Sequence, residues 1–524
     1  MKLNNIKLWI PVAVMALGMN LTSCVGDLDV NPIDPSTTTE FNQDEVFTKI
    51  YASLALTGSE GPAGMGDVDG IDEGTSDLIR LSWNVNEITT DEAKCNWGDV
   101  GIPELNTNAW SASHSQLTGL YYRLYFDVTL CNFFLEQIAD KTDDVSNTMR
   151  AEARFMRALN YYYLLDLYGN VPFTTSVSTA NPPRIERADL YAWIVDELIG
   201  DNGCVANMKE PGQNTYGRAD KAAGWMLAAR LYLNAEVYTG TADWSNAALY
   251  AKKVMDSSYS LAPIYKNLFL ADNNSNGAQV EMILPALCDG VLTQSYGASN
   301  FVIASTHKSD MPAYGTSEGW AGNRATKNMM LKFFSSGDAP HVDTDEMTAA
   351  AGDARCLFYG VGRELEIGSE TTDFTYGYSS TKFSNIRSDG QPSSDSKFVD
   401  TDFPVMRAAE AYLTFAEAKV RLNGENDPEA VAAIDMLRNR AGASTQSVYS
   451  LNFILEEWSR EFSFEGRRRT DLIRFGKFGG SNSYVWEWKG GAQTGTAFSQ
   501  NLNIFPIPNK DKTNNDNLIQ NPGY

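Results

Sequence analysis

Four carboxylates, Asp67, Asp69, Asp72 and Glu73, crowd into one short run. A cation, Arg80, and three tryptophans, Trp83, Trp97 and Trp110, follow before residue 111. Ionised carboxylates accept hydrogen bonds, a guanidinium donates them as a planar fork, and an indole offers a flat apolar face. A sugar ring presents the complementary surfaces, a rim of hydroxyls around a face of C–H groups. The same carboxylates, paired across a glycosidic bond, are what a glycoside hydrolase needs. Glycan binding and glycan hydrolysis are therefore both open. His114, His307 and His341 lie far apart, and no GxSxG, P-loop or HExxH run occurs. Catalytic triads, phosphate cradles and zinc-protease chemistry have no support.

The stretch from Asp67 to Trp110 has no sustained helical period, yet it is too aromatic for a disordered segment. Helices must carry it. Apolar residues recur at helical spacing over Gln43–Leu56, Gln116–Ala139, Asn147–Tyr168, Ala188–Ile199, Lys221–Tyr238 and Ser245–Ser257. They do so again over Val405–Leu422, Asp427–Arg440 and Ser450–Phe475. Gly169 and Pro172 end one helix, and Asp427 with Pro428 suits the start of another. Residues 258–400 are rich in Gly, Ser, Asn and Asp, and read as a second loop-rich region with one short helix near Thr326–Phe334. Small residues such as Ala222, Ala228, Ala247 and Ala251 allow close helix packing, and Lys221–Ser257 is about the length of a tetratricopeptide unit. The expected fold is mainly α, a tetratricopeptide-like helix-pair scaffold with an irregular, loop-rich half carrying the site. The tail from Ile504 to Tyr524 reads as extended.

Lys2 and Lys7 precede an apolar run, Leu8–Leu21, that is too short to span a bilayer and has the layout of a secretory signal. It ends in Leu21-Thr22-Ser23-Cys24, a lipobox pattern with Cys24 as the lipidated residue. Two or more acyl chains anchor stably, at about 0.8 kcal/mol per buried methylene. The expected organisation is a signal peptide at 1–23, a tether at 24–42 and a domain at 43–524. Its loop-rich segments are about 60–112 and 258–400, and its scaffold about 113–257 and 403–476. The chain has 66 acids against 42 bases, a formal charge of −24. That balance argues against a nucleic-acid partner. The other cysteines, at 95, 131, 204, 288 and 356, form neither a disulfide framework nor a zinc pattern.

Several long motifs then make the chain resemble the SusD/RagB family. They are Ala151-Glu-Ala-Arg-Phe-Met-Arg-Ala-Leu159 running on to Leu167-Tyr-Gly169 and Val171-Pro-Phe173; Phe403-Pro-Val-Met-Arg407 with Glu410 and Tyr412; Glu461-Phe-Ser-Phe-Glu-Gly-Arg-Arg-Arg469; and Phe505-Pro-Ile-Pro508 with Gln520-Asn-Pro-Gly-Tyr524. Asn31-Pro-Ile-Asp-Pro35 and Tyr216-Gly-Arg-Ala-Asp220 look closest to its starch-binding branch. The resemblance implies a non-catalytic outer-membrane lipoprotein, displayed at the cell surface, that binds a glycan and lids a SusC-type TonB-dependent transporter. It implies an aromatic arc of Trp97, Tyr296 and Trp320, with Asp72 and Arg80 reading hydroxyls. Two departures from the pattern follow. Cys95 stands near where a further arc tryptophan is expected, and Gly98-Asp-Val-Gly101 is shortened where an asparagine ligand is expected. Both favour an α-glucan in general over starch in particular. Arg154, Arg157, Glu465 and Arg467 read as ion-pair and packing residues of the scaffold. A hydrolase using Asp67, Asp69, Asp72 and Glu73, or a transporter lid with little glycan affinity, are the alternatives.

No cofactor is required by this reading. Asp272, Asn274 and Asn276 match the first half of a calcium loop, but Ile283 occupies position twelve, where a glutamate is needed. A polar turn is the plainer reading, and a structural calcium ion the alternative.

Overall fold

Long helices form where the periodic segments predict them. In the computed structural model, which describes residues 40–369, 373–481 and 484–524, α1 spans Gln43–Ala52 and α2 Leu78–Trp83. The scaffold helices α3 (Ser115–Gln137), α4 (Asp144–Leu167), α5 (Arg187–Ile199), α6 (Lys221–Leu233) and α7 (Trp244–Met255) follow. After α8 (Ala298–Thr306) come α9 (Ala409–Asn423), α10 (Pro428–Arg440), α11 (Leu451–Phe462) and α12 (Arg468–Arg474). Consecutive helices pack as pairs: α3 on α4, α4 on α5, α6 on α7 and α9 on α10, with α7 also against α9. Caps explain the boundaries. Asp143 accepts from Ser146 N at the start of α4, Gly169 leaves its end at φ 72°, and Asp427 accepts from Glu429 N and Ala430 N ahead of Pro428.

Four expectations change. Phe403–Arg407 is a strand, and the helix starts only at Ala409. The expected helix 450–475 breaks into α11 and α12 because Phe464 and Gly466 take positive φ, 62° and 78°. The second loop-rich region holds more than one helix, since α8 and Thr344–Ala351 also form there. The tail is not wholly extended, as Asn509–Asn514 is a short helix. Cys24, the signal peptide and most of the tether lie outside the described residues. Among those described, no helix is long and apolar enough to cross a membrane.

Two small antiparallel ladders organise the loop-rich half, the first joining its two segments to each other and the second tying it to the scaffold. β1 (Ala93–Cys95) and β3 (Asn323–Ala325) pair Ala93 with Ala325 and Cys95 with Asn323. β2 (Met282–Ala286) pairs with β4 (Phe403–Arg407), Ala286 opposite Phe403. At the end of β4, Arg407 is fully buried and ion-paired to Glu281 (2.8 Å), Glu461 (2.7 Å) and Glu465 (2.7 Å). Arg355 joins Glu457 and Glu461, and Lys382 joins Glu465. Glu197 receives both Arg154 and Arg157, and Arg467 meets Glu410 and Asp471. The motif charges are thus structural, as their ion-pair reading predicts.

A buried carboxylate on α3 behaves differently. Asp127 is 2% exposed, neither of its oxygens receives a hydrogen bond, and the Ser53 hydroxyl is committed to Ile50 O. Burial pushes Asp127 up to about 7, against the pull of Arg123 and Lys49 and with the push of Asp67. The folded protein therefore retains a proton that the unfolded chain releases near pH 3.9. This residue favours folding below that pH, and the contribution is lost as pH rises through 7. Asp127→Asn is expected to raise the melting temperature at pH 8, with the gain gone at pH 4. About 1.4 kcal/mol per pKa unit, less the 1–3 kcal/mol cost of an unpaired amide, leaves a net gain of about 1–3 kcal/mol. Thermal melts of the two proteins across that range check it.

Candidate functional site

The β1–β3 ladder positions the first ring. It places Trp97, two residues past Cys95, beside Gly322, one residue before Asn323, and Asn96 N donates to Gly322 O at 3.1 Å. A Cβ at Gly322 would sit 2.1 Å from the Trp97 ring, so the indole lies directly on that backbone. The Trp97 Nε1 donates to Trp320 O (3.3 Å). Trp320 N donates to Ala304 O and Ala321 N to His307 O, which ties this loop to the end of α8.

The N-terminus of α2 positions the third ring. Asp77 caps α2 by accepting from Arg80 N (2.9 Å), and the same carboxylate oxygen accepts from Ala298 N (3.2 Å) at the start of α8. Gly297 is pressed against this carboxylate, with space for a Cβ only 2.0 Å from Oδ2. One cap thereby fixes both Arg80 and Tyr296. Burial pushes Asp77 up to about 6, the amide hydrogen bonds opposing it.

Five expected residues meet in one open depression of about 850 Å³: Asp72, Arg80, Trp97, Tyr296 and Trp320. Trp97 and Trp320 lie 6.3 Å apart with planes at 54°, and Tyr296 and Trp320 lie 6.0 Å apart at 57°. The three rings are half-buried and Asp72 is exposed. Arg80 reaches over the Trp320 ring (5.6 Å) and that of Phe301 (4.8 Å), and donates to Gly74 O and Tyr296 O. Its Nε has no protein partner, and burial draws the guanidinium below its ordinary value. Such a surface can stack on sugar faces and exchange hydrogen bonds with a hydroxyl rim.

The rest of the opening stretch does other work. Trp83 is wholly buried and donates to Phe464 O, while Trp110 donates to the Tyr524 hydroxyl. Asp91 is buried against Arg468 and Lys332, and Asp67 is held by Lys49 (2.7 Å) and Arg123 (3.3 Å). Cys95 is 0% exposed, and its backbone exchanges hydrogen bonds with the Asn106 side chain. Position 95 is thus buried behind the surface that carries Trp97. Sequence reasoning passed over three polar groups here. Asp99, in the shortened segment, and Glu318 line the depression, and Lys397 Nζ donates to the Tyr296 hydroxyl (2.7 Å). Glu318, two residues before Trp320, was within reach of inspection, whereas Lys397 carries no local signal.

The turn at Asp272 is closed by the protein itself. Asp272 accepts from Ser388 N (3.0 Å), the Ser388 hydroxyl (2.6 Å) and the Asn276 amide (3.1 Å). Asn276 also donates to Asn267 O, and Asn274 is exposed. An amide nitrogen directed at the carboxylate is a donor where a cation needs acceptors.

A mainly helical frame, a loop-borne aromatic surface and charged groups at its rim define a surface-recognition protein. Comparison with known proteins identifies the kind. A family model described as "SusD family" matches residues 343–524, and one described as "Starch-binding associating with outer membrane" matches residues 28–233. The chain is 43% identical, over 100% of both sequences, to the starch-binding protein SusD of Bacteroides thetaiotaomicron. The fold matches surface glycan-binding protein A from Bacteroides uniformis (TM-score 0.69, 19% identity, 91% of this chain and 98% of that one). It also matches surface glycan-binding protein A from Bacteroides thetaiotaomicron in complex with laminarihexaose (TM-score 0.65, 20% identity, 91% and 98%). The chain belongs to the SusD family.

Proposed function

We propose that this chain is a non-catalytic lipoprotein of the outer-membrane surface that binds an α-glucan and passes it to a SusC-type TonB-dependent transporter. Cys24 is the anchoring residue in this reading. The observation that carries it is the arc itself: three rings whose neighbouring planes meet at 54° and 57° at spacings of 6.3 and 6.0 Å, with Asp72 and Arg80 lining the same depression. Rings tilted in this way offer faces to a chain that curves, as α-linked glucans do, and fit a flat β-linked chain poorly. Family membership and the starch-binding relative support the same ligand class.

With about 1 kcal/mol per stack offset by the cost of immobilisation, single-site affinity falls at roughly 0.1–1 mM. Avidity on a long polymer then comes from many copies. Titration calorimetry of a soluble form truncated at Cys24 is expected to show binding to maltooligosaccharides and none to cello-oligosaccharides. Reducing ends released by the purified protein would instead establish a hydrolase. No metal enters this reading, and the Asp272 turn is proposed as a self-sufficient polar turn. Chelation is accordingly expected to leave the melting temperature unmoved, and a drop on adding chelator that calcium restores would place an ion there.

A further inference from the structure

Trp320 and Tyr296 stand on segments with no regular structure. Trp320 lies between Gly319 and Ala321, the latter at φ 56°, and Tyr296 lies between Ser295 and Gly297. Rings on such loops have orientations to lose on binding, and that loss weakens affinity unless the protein settles it beforehand. Two charged side chains settle it. Trp320 Nε1 donates to Glu318 Oε2 at 2.7 Å, and Lys397 Nζ donates to the Tyr296 hydroxyl at 2.7 Å. Lys397 Nζ also lies 3.8 Å from Glu318 Oε1 and 5.0 Å from the Tyr296 ring centroid. The two outer polar tips of neighbouring rings are thus joined through one ion pair.

The brace is itself anchored. Thr316 donates its hydroxyl to Lys397 O (2.7 Å), Ser317 N donates to Ser396 O (2.7 Å), and Asp395 accepts from Lys397 N (2.7 Å). Segments 316–318 and 395–397 are stitched together before either touches a ring. Because the Tyr296 oxygen accepts from Lys397, the tyrosine's own proton is left to donate outward.

We infer that Lys397 and Glu318 are positioning residues that lock the 57° angle between Tyr296 and Trp320, and that this lock sets the preference for curved over extended glucan chains. This rests on the glycan-binding reading above. The pair is partly exposed, 40% for the Lys397 side chain and 22% for that of Glu318. Exposed pairs add little to folding. Removing the pair therefore alters the site without unfolding the protein.

The test compares a cyclic maltooligosaccharide with a linear one of equal length by calorimetry on the wild type, Lys397→Met, Glu318→Gln, the double variant and Lys397→Arg. Either single change is expected to weaken cyclic-ligand binding about tenfold, a difference of 1.4 kcal/mol, and linear-ligand binding by much less. The double variant is expected to match the singles, because both remove the same brace, and Lys397→Arg is expected to retain the wild-type preference. Wild-type binding with an unchanged cyclic-to-linear ratio in both singles overturns the brace while leaving the glycan reading intact. A wild type that binds neither sugar overturns the glycan reading, and the brace with it. Melting curves of each variant show whether a loss of binding is a loss of fold.

Discussion

Trp320→Ala is expected to drive maltooligosaccharide binding beyond the reach of calorimetry. Trp320 is the middle ring, 6.3 Å from Trp97 and 6.0 Å from Tyr296, and it also carries the Arg80 guanidinium at 5.6 Å. Its removal deletes one stack, worth about 1 kcal/mol, and frees Arg80 and Trp97 from the surface that orients them. A loss of about 1.5–2.5 kcal/mol corresponds to roughly 10- to 70-fold, which takes a site of roughly 0.1–1 mM to about 1–70 mM. The ring is half-exposed and its backbone amide is what secures the loop to α8, so melting behaviour should change little. Unchanged affinity in this variant would remove the arc from consideration.

Arg407→Met is expected to be the most damaging single change to the fold. The guanidinium meets Glu281, Glu461 and Glu465, donates to Glu461 O and packs 3.9 Å from the centre of the Phe462 ring. Taking one partner from a buried charge cluster costs about 3–5 kcal/mol, because the remaining charges stay buried. Arg355, Arg440 and Lys382 would be left to balance the three glutamates. Urea denaturation should show the midpoint falling by more than 1 M for an m-value of about 3 kcal/mol/M, and an unchanged midpoint would deny the cluster this role.

The same cluster sets the acid limit of the protein. Against the opposing effect of burial, the arginines around Glu461 hold it far below the usual carboxylate range, and those around Glu457 hold it at about 2. Each contributes stability that is present above pH 4.5 and is lost as pH falls through the depressed folded value.

Local pattern carried much of the frame. Asp427-Pro428 marked the start of α10 and Gly169 the end of α4, because caps act within a few residues of the groups they satisfy. The helix Thr344–Ala351 was equally legible, with Asp343 accepting from Glu346 N and Gly352 in the left-handed region, but the polar composition around it obscured the signal. Phe403–Arg407 was misread because an apolar run leading into a helix has no period of its own, and only pairing with Met282–Ala286 makes it a strand. The site divides in the same way. Residue type cannot separate Trp97 from Trp83 and Trp110, since the difference lies in burial. The approach of 97 to 320 depends on a ladder joining segments more than two hundred residues apart. Family motifs supplied that relation for the rings, and nothing comparable pointed to Lys397.

The cap at Asp77 has a consequence for how such a protein diversifies. The loops that bear the rings are held at their backbone: a carboxylate against Gly297, an indole against Gly322, amides tied to the end of α8. The ion pairs around Arg407 lie apart from the rings, joining α11 and the strand before α9 to Glu281, Arg355 and Lys382. Side chains at 97, 296, 318 and 397 can then change the ring surface without disturbing the loop backbone or the buried ion pairs, whereas Asp77 and Gly297 cannot change without moving that backbone. New sugar preferences in descendants of this chain are expected to arise at the first set of positions over an unchanged second.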